Sequence, residues 1–256
     1  MVIHGLPTVR ARQKLIMLLP TDAFAHVPAL AGKILEPEKS VLRISRETFV
    51  EWDRRAEEAG YGANWRRTHE EREATRSEAL AGRLGQDLWI FAYGSLMWDP
   101  AIHVVEIRTA TLTGLHRRFC LKIEMGRGSK EKPALMAALD AGGACQGLAL
   151  RVPAHAVDRE TEILWMREMI GEAYIPMFRR VATPQGQVEA LTFVMDPRSP
   201  RYADIGPEEA ASIIASGSGL LGTNLEYFDN LAMHVDALGI RDDVFERMRA
   251  SLDRGR

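Results

Sequence analysis

The chain has 256 residues, of which 46% are hydrophobic and 27% charged, and its formal net charge is −2 at pH 7. This composition predicts an ordinary soluble globular protein with one large domain, or one domain and an appendage. The charge excludes the strongly basic surface that binds nucleic acid or an anionic membrane. Two cysteines, Cys120 and Cys145, are too few for a disulfide framework or a zinc site, which indicates a reducing compartment.

The amino terminus has some features of a signal peptide, because three basic residues between positions 10 and 14 precede an apolar run. That run extends only from Leu15 to Leu19 before Pro20 and Asp22 interrupt it. A signal peptide needs about 7–15 apolar residues and a membrane-spanning helix about 20. The sequence therefore predicts a cytoplasmic protein without a membrane segment.

Residues 1–86 are predicted to form a helix-rich extension. The pattern predicts one helix from Ser45 to Ala59 and a second from Thr68 to Ala81, each followed by a glycine. Both helices carry charges of mixed sign, which is typical of a solvated face. We expect the extension to pack on a main domain formed by residues 87–256 and to contribute no chemistry of its own.

From residue 88 the pattern changes to short β-strands, predicted at 88–93, 104–114, 118–125, 134–140 and 145–153. A helix follows over 158–170, with Asp158 as its N-cap and Gly171 as its terminator. Two more strands are predicted at 174–182 and 188–196, and helices at 207–216, 224–238 and 242–253. In this order, consecutive strands come first and most of the helices come later. Such an order is typical of an α+β fold and not of a doubly wound sheet, in which strands and helices alternate.

The glycines of one segment match a nucleotide-binding motif only superficially. Gly217, Gly219 and Gly222 have the spacing G-x-G-x-x-G of the dinucleotide fingerprint. That fingerprint acts between a strand and a helix of a βαβ unit, whereas here a helical segment precedes it. The segment is better interpreted as a turn between two helices, and no nucleotide cofactor is predicted.

A tight turn, Tyr93-Gly94-Ser95-Leu96, separates two strongly apolar runs. The nucleophile elbow of a hydrolase requires G-x-S-x-G, which the sequence Tyr93-Gly94-Ser95-Leu96-Met97 does not match, and the chain has no H-E-x-x-H metal motif. A strand that ends in a glycine turn exposes successive backbone amides, which bind a carboxylate or an oxyanion. The spacing alone leaves a plain turn and an anion-binding turn both open.

Glu168 lies in the last turn of the helix predicted over 158–170, one turn after two apolar residues. The apolar neighbours, the helix dipole and the charge of Glu172 are all expected to raise the pKa of its carboxyl group. A raised pKa suits a proton shuttle that works near neutral pH. The alternative is a surface glutamate paired with Arg167 or Arg179.

Five segments in order, at 91–98, 116–121, 132–153, 165–174 and 219–240, resemble the ChaC-like family of γ-glutamylcyclotransferases. The resemblance covers about residues 87–253. It implies a small α+β fold with a mixed or antiparallel β-barrel-like core and flanking helices. It also implies the conversion of glutathione to 5-oxoproline and cysteinylglycine, without a metal or a cofactor.

The resemblance assigns Glu168 as the general acid and base and Tyr174 as a substrate-binding residue. The turn residues implied to hold the γ-glutamyl head through backbone amides are Tyr93, Gly94, Ser95 and Leu96. Members of the family often have Gly-Gly-Tyr after the catalytic segment. This chain departs from that pattern, with Gly171-Glu172-Ala173-Tyr174.

The implied reaction needs little machinery, because the α-amine of the substrate attacks its own γ-carbonyl and closes a five-membered lactam. One carboxyl group can take the proton from the ammonium and return it to the leaving amine. Two alternatives stay open. One is a cyclotransferase for other γ-glutamyl amines or dipeptides, and the other is a non-catalytic protein that binds glutathione in a regulatory role.

Two further basic features are candidates for contact with the substrate. Arg117 and Arg118 suit a carboxylate of the substrate, since a guanidinium matches that group in shape, or they form surface ion pairs. The glycine-rich basic loop at 126–132 is a candidate cover for the glycyl end of a tripeptide.

Overall fold

The computed structural model describes residues 19–254. The apolar run from Leu15 to Leu19, which was compared with a signal peptide, therefore lies almost wholly outside the described residues. Five strands form a closed barrel in the spatial order β1-β3-β2-β4-β5. Their bounds are β1 Leu88–Ala92, β2 Glu106–Ile123, β3 Ala134–Val152, β4 Tyr174–Thr183 and β5 Gly186–Met195. Neighbours in this order are antiparallel except β1 and β5, which pair in parallel through Trp89 and Ile90 and close the barrel. Strand β3 also pairs with β5 in parallel, at Leu139 and Val194.

Strands β2 and β3 are each one long strand where the sequence predicts two, so those predictions were wrong. Their antiparallel ladder runs from the pair Glu106 and Arg151 to the pair Ile123 and Ala134. The register shifts at Gly114, whose φ is +88°, and β3 passes through two glycines of positive φ at 142 and 143. Because glycine adopts positive φ at little steric cost, these positions bend the strands without ending them.

Helices pack around the barrel, and all those predicted are present. Their bounds are α1 Arg46–Glu58, α2 His69–Ala79, α3 Val157–Glu168, α4 Pro207–Ser216, α5 Asn224–Ala237 and α6 Asp243–Arg254. The glycine-rich segment is a small hairpin, β6 Ser218–Gly219 and β7 Gly222–Thr223, that joins α4 to α5. The predicted α+β class, with a barrel-like core and flanking helices, is therefore confirmed.

The predicted N-cap of α3 was wrong. Ala156 precedes the helix, and Asp158 lies within its first turn. The carboxylate of Asp158 accepts a hydrogen bond of 2.9 Å from Nη1 of Arg76 on α2. The acidic side chain therefore joins two helices instead of capping one.

The segment 19–86 shares one apolar core with the barrel. Leu30 and Phe49 are buried in the same cluster as Ile90 and Leu150. The domain boundary at residue 86 stays a prediction. Within residues 19–254, no helix is long and apolar enough to cross a membrane.

A buried ion pair fastens this segment to α3. Nη1 and Nη2 of Arg43 donate hydrogen bonds of 2.8 and 3.0 Å to the Glu160 carboxylate, whose side chain is 2% exposed. Arg43 also donates to the carbonyl oxygen of Ala101, and the amide of His103 donates to Glu160. The two-pronged geometry is the strong form of a charge-assisted hydrogen bond.

Replacing Arg43 with methionine should destabilise the fold, because the Glu160 carboxylate would stay buried without its cation. Breaking a buried ion pair from one side costs about 3–5 kcal/mol. We expect a loss of that size in the free energy of unfolding, measured by urea denaturation. The matched control is Arg46→Met, which removes an exposed pair with Glu162 and should cost at most about 1 kcal/mol. Equal losses for the two variants would contradict the anchoring role.

Candidate active site

The chain turns sharply after β1 and presents unpaired backbone amides. Ser95–Met97 form one turn of 3-10 helix directly after Gly94, and the Met97 amide donates to the Gly94 carbonyl oxygen at 2.9 Å. The amides of Ser95 and Leu96 precede this first hydrogen bond, and neither donates to an acceptor among residues 19–254. Such successive free amides form a concave site for an anion.

Gly94 allows a tyrosine hydroxyl to approach the turn closely. A Cβ atom on Gly94 would lie 3.2 Å from Oη of Tyr227 and 3.8 Å from the Ala137 carbonyl oxygen. The hydroxyl of Tyr227, a buried residue of α5, accepts a hydrogen bond of 3.2 Å from the Ala137 amide. The packing between α5 and β3 therefore places a phenol directly against the turn.

Tyr93 fixes the start of the turn to the barrel. Its hydroxyl donates a hydrogen bond of 2.6 Å to the Phe193 carbonyl oxygen on β5. Its own carbonyl oxygen accepts a hydrogen bond of 2.7 Å from Nε of Arg117 on β2. Because both ends of the residue are held by buried partners, the backbone that follows has little freedom to move.

The Arg167 guanidinium joins the turn to the end of α3. Its Nη2 donates a hydrogen bond of 2.7 Å to Oγ of Ser95, and its Nη1 donates to the Asp99 carbonyl oxygen. Its Nε lies 3.0 Å from Oε1 of Glu168. Glu168 thus pairs with Arg167, as the alternative interpretation expects, yet it is no surface residue, since its side chain is 14% exposed.

Burial raises the pKa of the Glu168 carboxyl above its ordinary value of 4.5, and Arg167 opposes this with its charge and its hydrogen bond. Burial also raises the pKa of the hydroxyl groups of Tyr93, Tyr174 and Tyr227. The charge of the nearby Glu168 raises these three pKa values further. Glu172, expected from the sequence to contribute to the shift, is exposed and contributes nothing resolvable. Removal from water is therefore the main cause of the shift.

One cavity of about 930 Å³ connects these groups. The residues predicted for the site all line it: Tyr93, Gly94, Ser95, Leu96, Glu168 and Tyr174. The structure therefore brings together two segments that lie more than 70 residues apart in the sequence. The extension also lines the cavity, through Trp52, Tyr61 and Trp65, although no part in the chemistry was expected for it from the sequence.

The two arginines considered for substrate contact are structural. Arg117 is buried, donates a hydrogen bond to the Tyr93 carbonyl oxygen and forms an ion pair with Asp242, the residue directly before α6. Arg118 pairs with Asp140 at 3.0 Å. Neither side chain is among the described residues that line the cavity.

Two features of the cavity were not predicted from the sequence: Tyr227, and the link that Arg167 makes between the turn and the carboxyl group. A signal for Tyr227 existed in the Asn-x-Glu-Tyr segment at 224–227, which forms part of the resemblance. The loop 126–132 does reach the cavity through Gly126 and Arg127. Its Lys130 instead donates to backbone carbonyls of the extension at residues 59 and 60.

Comparison with known proteins finds a match to a protein family over most of the barrel and its helices. Residues 88–254 match the family described as ChaC-like protein. A glutathione-specific γ-glutamylcyclotransferase of Escherichia coli strain K12 is 41% identical over 186 residues, which cover 72% of this chain and 80% of that protein. The human glutathione-specific γ-glutamylcyclotransferase 1 is 34% identical over 160 residues, covering 60% and 72% of the two chains.

Among solved structures, a yeast γ-glutamyl cyclotransferase specific to glutathione has a similar fold. The TM-score is 0.59 at 17% sequence identity, and the match covers 67% of this chain and all of the yeast chain. At this identity the likeness concerns the fold alone, and it supports the barrel architecture described above.

Ionisation of Glu168 should destabilise the folded protein, because its raised pKa means that the folded state holds the proton more tightly than the unfolded state. Stability from this group is complete below the ordinary pKa of 4.5 and is lost as the pH rises through the higher folded-state value. Glu168→Gln stays neutral throughout. The free energy of unfolding of this variant, relative to wild type, should therefore rise as the pH increases above 4.5, measured by urea denaturation at a series of pH values.

The exposed Glu172 is the matched control for this experiment, since Glu172→Gln is the same chemical change four residues further on. The comparison separates the removal of a carboxyl group withdrawn from water, at Glu168, from the same substitution at an exposed position. A stability difference between Glu168→Gln and wild type that does not change with pH would contradict the shift that burial produces.

Proposed function

This chain belongs to the ChaC-like family, and from that premise we propose that it is a glutathione-specific γ-glutamylcyclotransferase with Glu168 as its general base and acid. The substrate is glutathione, and the products are 5-oxoproline and cysteinylglycine. One observation carries the assignment of roles: a buried carboxyl of raised pKa is held beside a turn with free amides, in one cavity.

The turn after β1 binds the γ-glutamyl head in this proposal. The free amides of Ser95 and Leu96 hold its carboxylate or stabilise the charge that develops on the γ-carbonyl oxygen. Tyr227 accepts a hydrogen bond from Ala137, so its own proton is available to donate to the head group. Tyr93 and Tyr174 form the neighbouring wall of the cavity.

Glu168 moves the proton in both halves of the reaction. Its carboxylate takes a proton from the α-ammonium, and the free amine attacks the γ-carbonyl carbon to form the lactam C–N bond. The bond to the cysteinyl nitrogen then breaks as the Glu168 carboxyl returns the proton to that nitrogen. The ring nitrogen gives its second proton to the regenerated Glu168 carboxylate, which passes it to the released amine, so that cysteinylglycine leaves as an ammonium and Glu168 is again a carboxylate. An α-amino group has a pKa of about 7.7–8.0. Because burial raises the pKa of Glu168, the difference between the pKa values of the proton donor and the proton acceptor becomes smaller.

The proposal places the enzyme in the cytoplasm. Cys120 and Cys145 are both free and buried. Small secreted domains generally use their cysteines in disulfides, which makes a reducing compartment the consistent location.

Glu168→Gln should abolish most of the turnover of glutathione while leaving the fold intact. General acid and base catalysis contributes about 10²–10⁴-fold to a rate, and kcat for 5-oxoproline release should fall by that factor. The control is Glu172→Gln, an exposed glutamate that should retain full activity. Substantial residual turnover by Glu168→Gln would contradict its role. A wild-type protein that binds glutathione without releasing cysteinylglycine would favour the regulatory alternative.

Removing Arg167 should move the pH dependence of the reaction. Arg167 lowers the pKa of Glu168, so in Arg167→Met that pKa rises further and the base loses its proton only at higher pH. The acidic limb of kcat/KM against pH should shift to higher pH, and Arg167→Lys, which keeps the charge, should shift it less. The exposed Arg179→Met is the control. An unmoved acidic limb in Arg167→Met would show that another group sets it.

A further inference from the structure

One basic side chain of the cavity has no partner in the described chain. Arg201 lies in the loop between β5 and α4, and its guanidinium makes no hydrogen bond or ion pair with any of residues 19–254. The other basic residues that line the cavity are engaged with carboxylates, in the pairs Arg55–Glu51, Lys122–Glu124, Arg127–Glu226 and Arg167–Glu168. Among the described residues that line the cavity, Arg201 is therefore the cation left available to a ligand.

The chain holds this guanidinium close to the proposed reaction centre. A Cβ atom on Gly171 would lie 2.6 Å from Nη1 of Arg201 and 2.8 Å from its Cζ, so the guanidinium occupies the space that this glycine leaves open. Gly171 follows Glu168 by three residues, which separate two Cα atoms by at most about 11 Å. The Arg201 backbone is fixed as well, since its carbonyl oxygen accepts a hydrogen bond of 2.9 Å from the Lys122 amide.

The groups around Arg201 do not neutralise it. Glu124, Tyr61 and Glu172 act on it electrostatically, but none of the carboxylates lies within the 4.0 Å of an ion pair. Glu124 pairs with Lys122, and the Tyr61 hydroxyl donates to the Glu124 carbonyl oxygen. Burial lowers the pKa of Arg201, and a guanidinium stays charged even so. A cation withdrawn from water without a partner is unfavourable, and an anionic ligand would relieve that cost.

We propose that Arg201 binds the glycyl carboxylate of glutathione and so determines that the substrate is a γ-glutamyl tripeptide with a free carboxyl end. This proposal rests on the proposed function and specifies the far end of the same site. Beyond the γ-carbonyl, glutathione extends by two residues, or about 7 Å when extended, a length of the same order as the upper limit of about 11 Å between the Cα atoms of Glu168 and Gly171. The planar guanidinium matches a carboxylate with two parallel hydrogen bonds. Arg201 would thereby discriminate against γ-glutamyl amines and against peptides whose carboxyl end is blocked.

The test compares glutathione with its C-terminal carboxamide, on wild type and on Arg201→Gln. For wild type, the carboxamide should raise KM by about 10- to 100-fold, the range for a lost hydrogen-bonded charge pair, and change kcat little. Arg201→Gln should show a similar rise of KM for glutathione itself. In that variant the KM values for glutathione and for its carboxamide should differ by less than about threefold. Arg201→Lys keeps the positive charge but cannot form the two parallel hydrogen bonds of a guanidinium. It should therefore recover part of the KM difference between the two substrates.

Arg198→Gln is the matched control, because Arg198 lies on the same loop, is 83% exposed and pairs with Asp196 outside the cavity. Its KM for both substrates should equal that of wild type. A carboxamide penalty as large in Arg201→Gln as in wild type would overturn this proposal, while turnover of glutathione would leave the cyclotransferase assignment standing.

The same comparison can be made without turnover. Calorimetric titration of glutathione and its carboxamide into Glu168→Gln and into Glu168→Gln/Arg201→Gln measures the dissociation constants directly. The carboxamide should bind about 10- to 100-fold more weakly to the first protein and nearly equally to glutathione in the second. Equal affinities for both ligands in the first protein would overturn the proposal, whatever the enzyme assay shows.

Discussion

The site depends on one buried cation that holds its two halves at a fixed separation. Arg167 contacts the Ser95 hydroxyl with one nitrogen, the Asp99 carbonyl oxygen with a second and the Glu168 carboxylate with the third. A guanidinium is planar and rigid, so it cannot improve one of these contacts without weakening another. The distance between the amides of the turn and the carboxyl group of α3 is thus set by a single group.

That arrangement resolves a conflict between position and proton affinity. A carboxyl free of charged partners would have the most strongly raised pKa, but nothing would hold it in place. A fully paired carboxylate would be fixed in place but too weak a base to accept a proton from an ammonium group. In Glu168 burial raises the pKa more than Arg167 lowers it, so the carboxyl is both held and basic. Exposing the pair to water would weaken both effects together.

Local patterns predicted the elements well and the contacts between them poorly. The apolar periodicity of β1 and α5 and the caps of α1 are properties of neighbouring residues, and they appear where the sequence places them. The glycines at 114, 142 and 143 were interpreted as strand ends, because a sequence does not show that positive φ will be absorbed by a bulge. The local pattern made the turn and Glu168 candidates with open alternatives, and the family resemblance assigned their roles. The hydrogen bond from Arg167 to Ser95 joins residues 72 apart, and no spacing rule could have predicted it.

The extension is tied to the site through α3, the helix that ends at Glu168. Arg43 pairs with Glu160 on this helix, and Nη1 of Arg76 donates to Oγ1 of Thr161 at 2.9 Å. Trp165, three residues before Glu168, donates from its indole to Oγ1 of Thr75 at 3.1 Å. These contacts hold α3 along its length, from its first turn to its last. A change in the extension that shifts α3 must therefore also shift Glu168, and the same segment forms part of the cavity wall. The position of the carboxyl group and the shape of the space around the substrate are consequently coupled through one set of contacts.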